Sequence, residues 1–283
     1  MPFLVPVALT ASRGKDIQIA LTEHNIQYKI TKRLDIRGTK VLRTFETEVA
    51  DRVDVVFTVS DVDRQTLSQH VSSSELIVAP NGVDVDRFHP LQGHSEIQLD
   101  LGSPVFVYHG SLGNAQNSEA VKILIRRIFP ALKDEFPEAQ LILIGSNPPD
   151  IDQQGVLAVG LVDDLPAYIA MADIAVIPLT SGSGTKLKIL EYMASGVPVV
   201  TTPIGAEGLP LEDGRHAVID EEWDSFIDQT IRAVRDETWA ASMADEGRKL
   251  VESNFSWKAT LDVYSNVLEN QANSETDTVD RSV

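Results

Sequence analysis

A glycine-bearing turn, a helix and a buried strand follow one another between Ser181 and Leu209, and this order constrains the fold more than any other part of the chain. The small residues of the turn lead into a helical run, Lys186 to Ser195, which Gly196 and Pro198 end. The apolar residues that follow predict a short buried strand. A glycine turn at a helix N-terminus presents backbone N–H groups and the positive end of the helix dipole. The stretch therefore predicts an α/β fold with an anion-binding turn.

Strand-like and helix-like segments alternate on both sides of a polar linker at 91–103, which predicts parallel sheets flanked by helices. We interpret 1–85 and 86–255 as two Rossmann-like domains. In the first, a strand is predicted at Asp16 to Leu21. In the second, a helix is predicted from Asn117 to Phe136. Ligands of such sheets bind at the carboxyl ends of the strands, where the glycine-bearing turn would lie.

Three strings of the sequence resemble one protein family. GSGTKLKILEYMASGVPVV at 182–200 resembles the donor-binding core of retaining GT-B glycosyltransferases of family 4, in a branch that carries GSGT, a basic residue, any residue and then Lys-x-Leu-Glu. NGVDVDRFHP at 81–90 is similar to the crossover between the two domains of that family. TEHN at 22–25 is similar to a loop of its acceptor half.

The resemblance implies an α/β protein of the GT-B type, with two Rossmann-like domains of which the first is incomplete. A complete first domain of that type begins with a strand, a glycine loop and a helix, and the N-terminal sequence does not read as these elements. We expect either a misplaced start at Met1 or a fragment. The family also implies that a helix at 256–270 packs back on the first domain. The polar composition of 271–283 predicts a disordered tail.

The resemblance further implies catalytic roles for three side chains. Glu191 would accept hydrogen bonds from the ribose hydroxyls of a nucleotide, because a carboxylate is an acceptor only. Lys188 would neutralise the departing diphosphate, and His24 would lie near the sugar. The residues alone also allow structural roles for Glu191 and His24. Lys186 and Lys188 flank Leu187, so the two lysines cannot point in the same direction from a helix.

Backbone groups are predicted to make the other donor contacts. Gly110 follows the first strand of the second domain and would let the chain approach a phosphate, the alternative being a plain turn after His109. A second glycine-bearing loop follows the strand after the helix, and an ordinary connection is the alternative there. Asn114 and Asn117 stand where the family often has arginine and lysine, and Ser183 where many members have an acid. The predicted donor-binding residues are Gly110, Ser111, Gly184, Thr185, Lys186, Leu187, Gly205, Ala206 and Glu207.

The composition narrows the classes of function. With 42 acidic and 24 basic residues the chain carries a formal charge of −18, which argues against nucleic acid as a partner, because phosphate contacts need a basic face. Dispersed acids are typical of proteins from a salt-rich cytoplasm, with an acidic mesophilic protein as the alternative. Cysteine is absent and the six histidines are far apart in sequence, so we expect no metal and no cofactor. No apolar run approaches the ~20 residues that cross a bilayer. We predict a cytoplasmic protein with at most peripheral contact at the inner face of the membrane.

The predicted function is transfer of a sugar from a nucleotide-diphosphate sugar to a glycan, lipid or other acceptor, with retention of configuration. One alternative is a non-catalytic nucleotide-sugar-binding module, and another is a nucleotide-sugar epimerase of the same fold. A dinucleotide-dependent oxidoreductase is disfavoured, because no G-x-G-x-x-G follows a strand.

Overall fold

The computed structural model describes residues 2–33, 35–90, 102–182 and 184–279, and these residues contain two sheets whose strands all pair in parallel. The first sheet has three strands in the order β1-β2-β3. They are β1 Ala20–Glu23, β2 Val55–Thr58 and β3 Glu75–Val78. All four residues of the central strand β2 are buried. Such burial is expected of a parallel strand whose sheet is covered on both faces.

The helices of the N-terminal part pack against the first sheet and against one another. They are α1 Val5–Ala11, α2 Gln27–Arg33, α3 Thr39–Ala50 and α4 Asp61–Ser68, with a 3₁₀ turn at Pro2–Leu4 ahead of α1. The hydroxyl of Ser60 caps α4 by accepting the N–H of Asp63 at 3.1 Å. Glu46 of α3 lies below the N-terminus of α2, where its carboxylate accepts the N–H groups of Gln27 and Tyr28 at 3.0 and 2.9 Å. The side chains of Ser60 and Glu46 thus fix where α4 and α2 begin.

The second sheet has six strands in the order β6-β5-β4-β7-β8-β9. They are β4 Val105–His109, β5 Gln140–Ile144, β6 Val156–Gly160, β7 Ile174–Ile177, β8 Val199–Thr201 and β9 Val218–Ile219. After β4 the chain adds two strands on one side of it, and then three on the other side. The strand order therefore reverses between β4 and β7, which is where sheets of this kind bind ligands.

Helices cover both faces of the second sheet and bury β4 and β7 completely. They are α5 Ala115–Ile123, α6 Phe129–Glu135, α7 Leu165–Ile169, α8 Leu187–Ala194, α9 Pro203–Ala206, α10 Trp223–Arg235 and α11 Glu237–Asn254. The last helix, α12 Trp257–Val279, returns to the first sheet, where the rings of Tyr264 and Phe57 are 4.4 Å apart. Among the described helices, none combines the length and the apolar character that crossing a bilayer requires.

Two sequence predictions about these elements are wrong. Strand β1 begins at Ala20 instead of Asp16, because pairing with β2 begins there and the N–H of Ile19 donates to the Asp54 side chain at 2.7 Å. The tail predicted to be disordered from residue 271 continues α12 to Val279. Extending a formed helix avoids the cost of a new nucleus, so even a polar continuation can stay helical.

The helix predicted from Asn117 to Phe136 is present as a continuous helical region, in which a wider π-type segment, Leu124–Ile128, lies between α5 and α6. Pro130 lies in the first turn of α6 and has no N–H for the carbonyl four residues earlier. The wider turn accommodates this gap, and the N–H of Phe129 donates to Leu124 O instead. The predicted linker at 91–103 lies almost entirely outside the described residues.

Candidate functional site

Two glycines meet where β4 and β5 end, next to the reversal in strand order. Gly110 and Gly145 have φ angles of 145° and 140°. A Cβ on Gly145 would lie 1.7 Å from the carbonyl oxygen of Gly110, so a larger residue cannot replace it without moving the backbone. A cavity of about 180 Å³ opens beside them and is also lined by His109, Ser111 and Ser146. The fold thus places a small cleft where ligands of such sheets bind.

The side chain of Lys188 extends from the first turn of α8 to the end of β4. Its Nζ donates to Asn117 Oδ1 at 2.9 Å and to the Tyr108 hydroxyl at 3.0 Å, and it lies 4.1 Å from the centre of the Tyr108 ring. Tyr108 and Asn117 are also joined by a 2.7 Å hydrogen bond, and the Asn117 amide donates to Ser111 O at 2.8 Å. A Cβ on Gly110 would lie 3.0 Å from the Lys188 nitrogen. The predicted diphosphate lysine and the predicted phosphate loop are therefore adjacent.

Burial changes the charge state of this lysine. It lowers the pKa of Lys188 to about 7, while Glu191 acts to raise the pKa and Lys186 acts to lower it. About half of the molecules would then carry a neutral Lys188 at pH 7. An anion beside the amine would favour the charged form. The site therefore contains a cation whose charge an anionic ligand would strengthen.

His109 and Glu191 make a second polar contact at the same edge. Their Nε2 and Oε2 atoms are 3.1 Å apart, which is an ion-pair distance, although the angles are not those of a hydrogen bond. Burial lowers the pKa of His109, against the opposing effect of Glu191, so the imidazole is neutral at pH 7. The N–H of His109 donates to the Tyr192 hydroxyl at 2.7 Å. The Glu191 side chain is 23% exposed, which leaves it accessible to a ligand.

The turn before α8 is tightly packed. Gly184 has a φ of 68°, and a Cβ there would lie 2.3 Å from Oδ1 of Asn25 in the first domain. Lys186 is buried and donates from Nζ to Gly184 O at 2.8 Å. The helix begins at Leu187 with no side-chain cap, so N–H groups of its first turn have no side-chain partner. This is the geometry in which a helix N-terminus accepts an anion. Ser183 lies outside the described residues.

The donor loop predicted at Gly205, Ala206 and Glu207 is not a loop. Its first two residues belong to the helical turn α9, and Thr202 caps that turn. The N–H of Gly205 donates to Thr202 Oγ1 at 3.1 Å, and the N–H of Ala206 donates to Thr202 O at 3.0 Å. A residue before a proline is biased to extended backbone and can serve as a helix cap. The pair Thr202-Pro203 therefore indicates a cap at this point. These two N–H groups are used within the turn, so the loop predicted for them is wrong, and their contact with a donor stays a prediction.

Two predicted site residues lie at the boundary between the domains. The Glu207 carboxylate is 3.9 Å from Nζ of Lys29 in α2. The His24 ring nitrogen Nδ1 is 3.3 Å from Asn81 Oδ1, and the His24 carbonyl lies beside Gly184. The structure thus brings His24 to the glycine turn, whereas its ring contacts Asn81 instead of the cluster around the lysine. Among the described residues, no three His, Asp or Glu side chains are grouped as a metal site.

Both parts of the sequence match models of one kind of protein. Residues 1–87 match "Glycosyltransferase Family 4", and residues 103–236 match "Glycosyl transferases group 1". Together the two matches cover more than three quarters of the chain. The chain belongs to glycosyltransferase family 4.

Curated relatives of this family 4 chain are longer than it is. A GDP-mannose-dependent α-(1-6)-phosphatidylinositol monomannoside mannosyltransferase from Mycolicibacterium smegmatis is 28% identical over 245 residues, which are 77% of this chain and 63% of the relative. A D-inositol 3-phosphate glycosyltransferase from Corynebacterium jeikeium is 24% identical over 261 residues, which are 83% of this chain and 62% of the relative. The chain therefore spans less than two thirds of the length of either protein.

Solved structures show that this family 4 chain has the GT-B fold, as the resemblance implies. Sucrose-phosphate synthase from Thermosynechococcus elongatus superposes with a TM-score of 0.77 at 19% identity, over 96% of this chain and 72% of that one. HepE from Anabaena, in complex with UDP and glucose, superposes with a TM-score of 0.75 at 16% identity, over 96% and 76% of the two chains. The α/β architecture with two parallel sheets is confirmed.

Three residues of the site were not predicted to support it: Tyr108, Asn117 and Tyr192. Tyr108 and Tyr192 are fully buried, and both place their hydroxyls at the end of β4. The sequence shows Tyr108 as one residue of an apolar strand, and a buried tyrosine near a strand end usually has a polar partner. Asn117 stands where the family often has a basic residue, yet it accepts a hydrogen bond from Lys188 and so orients that lysine. These polar residues indicate that hydrogen bonds are made at this strand end, but the sequence alone does not identify the partners.

Proposed function

We propose that this family 4 chain transfers a sugar from a nucleoside diphosphate sugar to a glycan, lipid or other acceptor, with retention at the anomeric carbon. The observation that carries the proposal is the partly buried Lys188, held by Asn117 and Tyr108 beside the uncapped N-terminus of α8, at the reversal in strand order. A lysine held there by neutral partners suits a ligand with a diphosphate. By their printed names, a relative uses GDP-mannose and HepE holds UDP and glucose, which supports the donor class.

The named residues divide the work of holding the donor. Lys188 and the backbone at 184–187 would bind the diphosphate, and the Gly110–Ser111 turn would approach it from β4. Glu191 would accept hydrogen bonds from the ribose hydroxyls, and the neutral His109 lies against the other side of its carboxylate. Positive charge placed in advance where the leaving group becomes an anion is usually a large part of catalysis. The protein's own cation and helix dipole would supply that charge, without a metal or another cofactor.

The transfer would take place in the cleft between the two sheets. The bond from the anomeric carbon to the diphosphate oxygen breaks, the acceptor oxygen bonds to the same face of the sugar, and the acceptor proton passes to the departing diphosphate. His24 lies at the glycine turn, on the first domain's side of this cleft. The names of the relatives, a phosphatidylinositol mannoside and a diphosphoundecaprenol-linked sugar among their acceptors, support a lipid-linked or glycan acceptor. A cytoplasmic protein in peripheral contact with the membrane would meet such acceptors.

A thermal-shift panel tests the donor site first. The ligands are UDP, GDP, ADP and their sugars, each measured in low salt and in molar KCl. A ligand at about 100 times its dissociation constant adds roughly 2.7 kcal/mol to stability if it binds only the folded state. We expect one nucleotide class to stabilise the wild type. The stabilisation should be lost in Glu191→Ala and kept in Asp228→Ala, which removes an exposed carboxylate from α10. Equal responses of the two variants would contradict the assignment of Glu191.

The ligand found in this way then tests the reaction. Incubation with the labelled donor and lipid or glycan acceptors should give a product that retains the anomeric configuration. A donor epimerised without acceptor would show the epimerase alternative. Binding without any turnover, across the acceptors tried, would favour a non-catalytic nucleotide-sugar-binding module.

A further inference from the structure

Basic residues are concentrated in one short segment of this acidic chain. Residues 29–43 contain six of the 24 lysines and arginines and only one of the 42 acids. The chain as a whole has a formal charge of −18, so this segment has the opposite sign from its surroundings. The net charge describes the chain as a whole, and it conceals a local basic surface in the first domain.

The structure folds this segment around a cavity of about 760 Å³ between α2, α3 and α4. The wall carries four cationic side chains and a single carboxylate, that of Asp35. Tyr28, Thr39, Thr66, Gln69 and His70 add further polar groups. The cationic residues are Lys29, Lys32, Lys40 and Arg43. The cavity is therefore basic and rich in hydrogen-bond donors.

Most of these cations have no acidic partner in the part of the chain that the structure describes. Lys29 is held at one end of the cavity, where its Nζ lies 3.4 Å from Asp63 Oδ1. Lys32, Lys40 and Arg43 are exposed, and no carboxylate lies within ion-pair distance of them among the described residues. Like charges around a common cavity repel one another. An anion in the cavity would relieve this repulsion and accept several of the donors at once.

The chemistry of the wall favours a phosphate group over a carboxylate. A phosphate presents up to three acceptor oxygens and a charge of about −1 to −2, so it can contact cations from several directions. An arginine can bind two of these oxygens and lysines can bind as point charges. The first turn of α3 also lines the cavity through Thr39, and no side chain caps that helix. Its dipole adds to the attraction but does not carry the argument.

We propose that this cavity binds a phosphate group, in the form of a phosphomonoester or phosphodiester carried by the acceptor. The assignment to the acceptor rests on the proposed function, whereas phosphate binding itself does not. Lys29 connects the two regions, because its Nζ is 3.9 Å from Glu207, which follows α9 of the second domain. A phosphate held in the cavity would thus lie in the domain opposite Lys188, on the side from which the acceptor must approach.

Binding of glycerol 3-phosphate to the full chain, followed by isothermal titration calorimetry and ³¹P NMR, tests the site. Lys40→Gln and Arg43→Gln should each weaken binding about tenfold, the effect of losing one charged hydrogen bond. The matched control is Arg52→Gln, which removes one exposed positive charge just after α3 and outside the cavity. The control should bind as the wild type does. Absence of wild-type binding both to glycerol 3-phosphate and to the phosphatidylglycerol vesicles described below, or equal losses in all three variants, would overturn the proposal.

Vesicles distinguish the two sources of the phosphate group. A flotation assay measures binding of the protein to phosphatidylcholine vesicles with and without phosphatidylglycerol. The result is compared with the binding of free glycerol 3-phosphate measured by calorimetry. Binding to free glycerol 3-phosphate that is lost in Arg43→Gln indicates a water-soluble phosphorylated acceptor. Binding of the wild type to the phosphatidylglycerol vesicles alone, again lost in Arg43→Gln, indicates a lipid headgroup. Vesicle binding that Arg43→Gln does not change contradicts the site.

The donor test separates this proposal from the proposed function. Nucleotides also carry phosphate, so nucleotide-sugar binding is measured in Arg43→Gln and in Glu191→Ala. We expect only Glu191→Ala to lose nucleotide-sugar binding and only Arg43→Gln to lose glycerol 3-phosphate binding. Loss of glycerol 3-phosphate binding in Glu191→Ala would overturn a separate phosphate site. If glycerol 3-phosphate binds but no nucleotide sugar does, the proposed function is contradicted and the assignment of the cavity to a phosphate group stands.

Discussion

Raising the pH from 7 to 9 should weaken the binding of a nucleotide sugar, because Lys188 must be charged to pair with the diphosphate. In the free protein, burial against Tyr108 and Asn117 lowers the pKa of Lys188 to about 7. A diphosphate beside the amine favours its charged form, so the pKa of Lys188 in the complex should return towards its ordinary value of 10.5. Binding above pH 7 would therefore take up a proton.

The size of the effect follows from the two pKa values. If the complex forms only with the charged lysine, its affinity scales with the charged fraction of the free protein. That fraction falls from about one half at pH 7 to about one hundredth at pH 9, which gives a roughly fiftyfold loss of affinity. At pH 8, close to one proton should enter for each ligand bound.

Calorimetry in buffers of different ionisation enthalpy measures both quantities at constant ionic strength. A nucleotide sugar is used because its diphosphate is esterified at both ends, whereas a terminal phosphate would itself titrate near pH 6. The control Lys188→Met should bind more weakly than the wild type at pH 7, with an affinity that changes little between pH 7 and pH 9. An affinity of the wild type that changes less than about threefold across this range, with no proton uptake, would refute the reasoning.

Three other substitutions test the packing around the sites. Burial raises the pKa of Glu23 from 4.5 to about 7. Between these two pH values the unfolded state holds fewer protons than the folded state, so the free energy of unfolding falls as pH rises, by of order 3 kcal/mol in all. Glu23→Gln should remove this slope, as urea unfolding at pH 5 and pH 8 would show. Tyr192→Phe leaves the N–H of His109 without its partner, which should cost about 1–3 kcal/mol in the same assay. Gly145→Ala places a Cβ against Gly110 O and should lower the melting temperature by several degrees.

Local patterns were enough to predict the architecture of the second domain. Its strands are continuous apolar runs because helices bury both faces of the sheet, and such runs stand out in a sequence. The end of α8 could be predicted as well, since Gly196 adopts a φ of 72° that few other residues tolerate. Boundaries that depend on a distant partner could not. Strand β1 starts at Ala20 because Val55 lies opposite, and no local pattern contains that pairing.

The candidate site shows the same division between local and distant information. The position of Lys188 in the first turn of a helix could be predicted, but the lowered pKa depends on Tyr108 and Asn117, which are far away in sequence. Gly205 suggested an open loop, but a glycine can also be required by close packing. A Cβ there would lie 2.0 Å from Thr201 Oγ1, which explains the glycine without any ligand. The basic cavity was overlooked because the net charge of a chain conceals local reversals of sign.

The turn before α8 shows which features of the site point to a ligand and which do not. Gly184 is small because Asn25 of the first domain occupies the space beside it, and Gly208 has Ser60 as a similar neighbour. Contact between the domains therefore accounts for small residues that the sequence alone would assign to phosphate binding. Packing does not account for Lys188, since burying an amine among neutral groups costs free energy that an apolar residue would not. Lys188 and the uncapped helix behind it therefore point to a donor site, whereas the glycines hardly do.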